Sequence, residues 1–292
     1  MRTPLSLLAL SLSLLSTPQA MALSEFGIEG MGVVSTKANE GQATISPDGQ
    51  RIVWASDRAG GAGGWDLWQA VQRDGRWQDP TPLAFNSAAD DLDPYFSHDG
   101  AWLYFASNRN GGRGGFDLYS VMLHEDGSVG PVMSMPVTIN TAADERYPAV
   151  RPDGQALLFA RNGTGKATHG GFDLYVATAQ GRGFNPPTAL PAPLNSAADE
   201  LGGEWLGNDG ALVITRGAGA RTQVWRVGCD YRQPATPLVL SFNTADGQTG
   251  APVVDASKPS ELVLAGVARA PRAGGLDLYR MKAPAAPDGA CR

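Results

Sequence analysis

Gly114-Gly115-Phe116-Asp117-Leu118-Tyr119 recurs down the chain as Gly63-Gly64-Trp65-Asp66-Leu67-Trp68, Gly170-Gly171-Phe172-Asp173-Leu174-Tyr175 and Gly274-Gly275-Leu276-Asp277-Leu278-Tyr279. The aspartates of these copies lie 51, 56 and 104 residues apart, and the last interval is close to twice the others. A degenerate copy, Gln223-Val224-Trp225, fills the gap and brings the repeats to five. Short strands repeating at about 50 residues are the signature of a β-propeller with one four-stranded blade per repeat. The reading is therefore all-β, with five four-stranded blades.

Each repeat divides into strands a to d. Strand a ends at an Asp-Gly hairpin (Asp48-Gly49, Asp99-Gly100, Asp153-Gly154, Asp209-Gly210), and strand b follows in runs such as Leu103-Tyr104-Phe105-Ala106 and Leu157-Leu158-Phe159-Ala160. These runs are apolar on both faces, as strands packed between neighbouring blades require. The Asp-Leu-Tyr element is strand c. Strand d carries proline and is expected over Trp77 to Leu83, Val129 to Val137, Phe184 to Leu190 and Pro234 to Leu240, because a residue without an amide donor is tolerated at an outer edge. No fifth strand d follows Tyr279, so the segment Gly32 to Thr36 is expected to close the last blade.

A second motif links strand d to the next strand a: Asn86-Ser87-Ala88-Ala89-Asp90-Asp91, Asn140-Thr141-Ala142-Ala143-Asp144-Glu145 and Asn195-Ser196-Ala197-Ala198-Asp199-Glu200. Asn243-Thr244-Ala245-Asp246 is a shortened copy, and Asn39-Glu40 a remnant before the first blade. Together with Ser46-Pro47-Asp48-Gly49 and Ser56-Asp57-Arg58, these motifs resemble the WD40-like Pro-Asp repeat family of TolB-type β-propellers over most of the chain. The resemblance implies a periplasmic protein with a recognition role. The chain departs from it in having five repeats where TolB-type propellers have six, and in lacking the family's added α/β and peptidoglycan-binding segments.

The first residues fit an export signal: Arg2, an apolar run from Leu5 to Leu15, then Ala20-Met21-Ala22, a small-x-small cleavage pattern. The expected organisation is a signal peptide over 1–22, a propeller over 23–281 and a tail over 282–292, in the periplasm or secreted. The net charge of -6, without a Lys/Arg block, disfavours nucleic acid and anionic lipid as partners. No apolar run is long enough for a membrane span. Cys229 and Cys291 fall on the face opposite the motif loops and are expected to form a disulfide, which suits an oxidising compartment.

In propeller connectivity the d-to-a and b-to-c loops share one face. Carboxylates of the linking motif (Asp91, Glu145, Glu200, with Glu40) are expected to alternate there with cations of the b-to-c loops (Arg58, Arg109, Arg161, Arg216), either as a ligand-binding ring or as structural pairs. The repeated Asp is expected to accept amides of the Gly-rich loop, and the Gly pairs to need positive φ. His98, His124 and His169 are scattered, and no Gly-x-Ser-x-Gly elbow follows the signal. No cofactor is called for. The function expected is a monomeric, non-catalytic exported propeller that binds a protein or cell-envelope component through its loop face. The alternatives are a carbohydrate-active enzyme, glycosidase or lyase, with carboxylates at the channel mouth, and calcium at Asp90, Asp91 and Asp93.

Overall fold

The computed structural model describes residues 25–124, 128–163, 169–181 and 183–285. They form five antiparallel sheets and no helix, arranged as the blades of a β-propeller. The chain enters through β1 (Glu25–Ile28), which belongs to the last blade. Blade 1 holds β2 (Glu40–Ile45), β3 (Arg51–Ser56), β4 (Asp66–Arg73) and β5 (Arg76–Pro82). Blade 2 holds β6 (Asp91–Phe96), β7 (Trp102–Ser107), β8 (Asp117–Met122) and the short β9 (Met133–Ser134). In blade 3, β10 (Glu145–Val150), β11 (Ala156–Asn162) and β12 (Phe172–Gln180) carry an outer strand broken into β13 (Gly183–Phe184) and β14 (Thr188–Ala189). Blade 4 is β15 (Asp199–Trp205), β16 (Leu212–Ala218), β17 (Arg221–Val227) and β18 (Thr236–Pro237), and blade 5 is β19 (Thr249–Val254), β20 (Glu261–Gly266), β21 (Asp277–Lys282) and β1.

Two expectations about the outer strands change. The strand that closes blade 5 is β1, with Ile28 opposite Tyr279, whereas Gly32 to Thr36 forms a turn. Proline-rich strand d shrinks to two-residue pieces in blades 2 to 4, since each proline removes a ladder donor.

Closure is locked by charge. Arg280 of β21 meets Glu29 at 2.5 Å, Asp255 at 2.7 Å and Glu261 at 2.6 Å, and the Trp77 indole of blade 1 donates to Glu29 at 2.6 Å. Burial alone would pull the Arg280 guanidinium down, but Glu29 and its neighbours hold it above its ordinary range. The core lies between blades. Val53, Ala55 and Leu67 of blade 1 pack on Phe96, Phe105 and Val121 of blade 2, and Val213 and Val224 of blade 4 on Leu262 and Leu264 of blade 5. Fully buried side chains such as Phe105 and Leu158 each contribute about 1.5–3 kcal/mol.

The Gly pairs serve a purpose other than the one expected. None of Gly63, Gly64, Gly114, Gly115, Gly170, Gly171, Gly274 or Gly275 has positive φ. A Cβ on Gly63, Gly114 or Gly170 would instead collide with the carbonyl oxygen of Ala89, Ala143 or Ala198 in the loop leading to the next blade. The pairs are there for close approach of backbone to backbone. Gly114→Ala is expected to lower unfolding stability by about 1–3 kcal/mol, the cost of overpacking a site that cannot relax. Gly183→Ala, whose Cβ meets nothing within 4 Å, should leave the urea midpoint nearly unchanged.

Candidate functional site

The Asn and the first acidic residue of the linking motif each bond to the neighbouring strand c. The Asn side chain pairs with both main-chain groups of one strand c residue, as a further strand would. Asn140 accepts from Leu118 N at 2.9 Å and donates to Leu118 O at 2.8 Å, and Asn86, Asn195 and Asn243 do the same at Leu67, Leu174 and Val224. Blade 5 uses Ser35 on Leu278. The motif Asp accepts the amide at the entrance to strand c: Trp65 to Asp90 at 2.9 Å, Phe116 to Asp144 at 2.8 Å and Phe172 to Asp199 at 3.0 Å. The repeated Asp inside the Gly-rich loop accepts loop amides, as expected: Asp117 from Arg113 at 2.6 Å and Asp173 from His169 at 2.8 Å.

The charged residues singled out from the sequence come together in pairs within each of blades 1 to 4. Arg58 meets Glu40 at 3.1 Å, Arg109 meets Asp91 at 2.6 Å, Arg161 meets Glu145 at 2.8 Å and Arg216 meets Glu200 at 2.7 Å. All four carboxylates are fully buried, and the arginines are nearly so. Each guanidinium also donates to carbonyls of the preceding loop, Val33 and Val34, Phe85, Ile139 and Leu194, and lies over aromatic rings such as Phe105 and Tyr119 at 5.0 and 5.2 Å. Burial raises Glu40, Glu145 and Glu200, and the Thr or Ser hydroxyl, its amide and the arginine offset part of that. Blade 5 lacks both charges. Thr249 stands in the acid's place, and the Phe242 ring packs on Tyr279 at 4.7 Å and against Gly266.

The three histidines stay apart. His98 lies in the a-to-b turn of blade 2 and His124 beyond its strand c, while half-exposed His169 reaches Asp173 at only 4.0 Å. Among the described residues no group of three His, Cys, Asp or Glu is placed to hold a metal. Asp90, Asp91 and Asp93 are each engaged separately, by Trp65 N, Arg109 and Arg146. No described cysteine is free, and Cys291 lies outside the described residues, as do residues 1–22.

Where the repeat loses its symmetry, a cavity of about 320 Å³ opens at the channel mouth. Its walls are the second and third residues after each strand a begins: Gln42, Leu92 and Asp93, Arg146 and Tyr147, Leu201, and Gly250 and Ala251. The inner strand bulges there in every blade. Asp93, Tyr147 and Ala251 have φ of 56°, 56° and 51°, a conformation costly for residues with a Cβ. Arg146 crosses from blade 3 to Asp93 of blade 2 through Nε at 2.5 Å and Nη2 at 3.1 Å. Its guanidinium lies over the Phe116 ring at 4.6 Å and the Tyr147 ring at 4.8 Å. Desolvation alone would pull Arg146 down, but the Asp93 carboxylate holds it above its ordinary range. The sequence reading passed over Arg146 and Tyr147, because it followed what repeats. Aligning Asp91-Leu92-Asp93-Pro94 with Glu145-Arg146-Tyr147-Pro148 and Thr249-Gly250-Ala251-Pro252 exposes them as the variable positions.

Deeper in the channel, one hydrogen-bonded group spans four blades. Tyr95 of blade 2 lies 3.1 Å from Val150 O of blade 3 and 3.2 Å from Glu204 of blade 4. Glu204 accepts from Trp205 N at 2.7 Å and from Val254 N of blade 5 at 3.2 Å. Complete burial pushes its carboxyl up to about 8 against those hydrogen bonds.

No family model matches the sequence, and no curated protein does. Among solved structures, an endo-arabinase from Bacteroides thetaiotaomicron superimposes with a TM-score of 0.54 at 10% identity, over 90% of this chain and 99% of that one. An α-L-arabinanase from Penicillium chrysogenum gives 0.52 at 13%, over 83% and 76%. TolB from Acinetobacter baumannii gives 0.50 at 15%, over 85% of this chain and 55% of that one. Likeness at these identities establishes a shared β-propeller fold.

Glu204 makes stability depend on pH. Its folded value of about 8 lies above the ordinary 4.5, so between these values the folded chain holds a proton that the unfolded chain releases. Stability therefore falls as pH rises through that window and levels off above it. Glu204→Gln should remove the slope, gaining up to about 4 kcal/mol relative to the native chain between pH 5 and pH 8. Urea midpoints at the two pH values check this.

Proposed function

We propose that the chain is an exported, non-catalytic β-propeller that binds a protein or cell-envelope component through its loop face, centred on the channel mouth. The observation that carries this is the contrast between symmetric and asymmetric positions. The repeating residues are consumed in holding blade to blade, while strained, non-repeating Asp93, Tyr147 and Ala251 surround an amphipathic cavity. Strained residues persist where the surroundings over-determine them, and they cluster at binding sites. In this reading Arg58, Arg109 and Arg161, with Asp91, Glu145 and Glu200, frame the site and set the height of the loops. A signal over 1–22, a propeller over 23–281 and a tail over 282–292 tied by Cys229–Cys291 complete the organisation. Such a bridge closes about 60 residues and would contribute roughly 4 kcal/mol in the chain-entropy model.

The second reading, a carbohydrate-active enzyme, is favoured by one observation, the raised carboxyl of Glu204 in a fold also used by arabinanases. Against it, Glu204 is 1% exposed and does not line the mouth, and Asp93 is neutralised by Arg146. Hydrolysis needs two carboxyl groups flanking a bond that can enter between them.

The mature protein is expected to capture a partner from envelope extract, and a variant with Trp65→Ala and Gln248→Ala, two residues that also line the mouth, to lose it while remaining folded. Trp102→Ala, on the opposite face, should retain capture. Loss in both variants, or in neither, rejects the mouth as the site. Thiol labelling of the oxidised, denatured protein should find no reactive cysteine; two reactive thiols reject the bridge.

A further inference from the structure

The buried arginines of this chain differ in how fully their donors are occupied. Arg280 serves three carboxylates at once, Glu29, Asp255 and Glu261. Arg58, Arg109, Arg161 and Arg216 each add at least one main-chain carbonyl to their carboxylate. Arg146 bonds to Asp93 alone among the described residues, through Nε and one Nη2 hydrogen. That occupies one side of the planar fork. One Nη1 hydrogen and the second Nη2 hydrogen form the end-on edge, and neither has an acceptor among the described residues.

This edge belongs to a side chain that lines the mouth cavity and is 17% exposed. The guanidinium is held by contact with the Phe116 and Tyr147 rings and by the pair with Asp93. A rigid fork with two parallel N–H groups matches a planar carboxylate in two hydrogen bonds, and little rotamer entropy remains to be lost. The rest of the lining suits the stem behind such a group. Leu92, Leu201 and Leu276 are apolar, and the side chains of Gln248 and Thr222 make no hydrogen bond among the described residues.

We infer that the channel mouth captures a carboxylate carried on an apolar stem, the C-terminal residue of a polypeptide, on the end-on edge of Arg146. The inference rests on the loop-face reading and names what that site recognises. Arg280 shows within the same molecule that one guanidinium accommodates more than one carboxylate, so Asp93 need not be displaced.

The test uses acetyl-leucyl-leucine with a free C-terminal carboxylate, the same dipeptide as its amide, and acetate, titrated into the mature protein and followed by NMR at the Trp65 indole and Arg146 Nε signals. The acid should give saturable shifts, with the amide and acetate each at least tenfold weaker. Arg146→Lys keeps the charge but loses the fork, and should reduce the preference for acid over amide. Leu92→Trp fills the mouth, leaves the Arg146–Asp93 pair intact and should abolish the shifts, which keeps the test valid if the lysine variant fails to fold. Equal affinity for acid and amide, acetate as tight as the dipeptide, no saturable shift, or acid shifts that survive Leu92→Trp would overturn the inference. The loop-face reading fails separately, when the Trp65→Ala, Gln248→Ala variant still captures its partner.

Discussion

Contact of backbone with backbone, between the Gly-Gly loop of one blade and the loop that leads to the next, is the constraint from which the ring follows. At Gly114 the Ala143 carbonyl sits where any Cβ would be, so no side chain can separate the two segments. The distance between them is then short enough for Asp144 to reach the Phe116 amide and for Asn140 to close on both main-chain groups of Leu118. With those contacts made, Glu145 arrives at the head of strand a at the one height where Arg161 and the Thr141 hydroxyl can satisfy it. A buried carboxylate without such partners would cost several kcal/mol. The motif is therefore one interlocked unit, and the same unit built in full at three junctions, with variants where blade 5 meets blades 4 and 1, sets the spacing of the blades.

The positions that join the blades are thus distinct from those that line the cavity. Positions that repeat do so because each blade faces the same geometric problem. Positions that line the axis face one another around one cavity, and repeating a charged or bulky residue there would create a ring of like charges or a clash. The bulge in strand a turns these residues inward, at the cost of positive φ for Asp93, Tyr147 and Ala251. Asp93 and Tyr147 are kept in place by the same contact, since the Tyr147 amide donates to Asp93 at 3.2 Å beside the Arg146 fork.

The architecture was legible because it is written in local chemistry. Asp-Gly hairpins, both-face apolar strands and a fixed period each follow from backbone geometry, and together they identified five blades. Strand d was the poorest reading, since Pro80 and Pro82 tolerate a strand in blade 1 whereas Pro131, Pro186 and Pro187 reduce theirs to fragments, and nothing local distinguishes the cases. The Gly pairs were misread for a related reason. A glycine required by a distant neighbour, as Gly114 is by Ala143, looks the same in sequence as one required by its own φ. The carboxylates and arginines were named from the sequence, but that they pair within a blade depends on long-range packing, and Arg146 was invisible to a search for repetition.

Glu204 shows why a shifted carboxyl is weak evidence of chemistry until geometry is considered. Its carboxyl is raised because it is wholly buried, and burial is also what denies it a substrate. Tyr95 has a single hydroxyl proton and two acceptors in reach, Val150 O and Glu204. A neutral Glu204 resolves the shortage, because its own proton can be donated to Tyr95 while Tyr95 donates to Val150. The chain of donors then runs from blade 4 through blade 2 to blade 3 with every group satisfied. An ionised Glu204 would claim the Tyr95 proton and leave Val150 O without it. The carboxyl is thus held neutral to join the inner strands across the axis, below a mouth lined by the paired charges of Asp93 and Arg146.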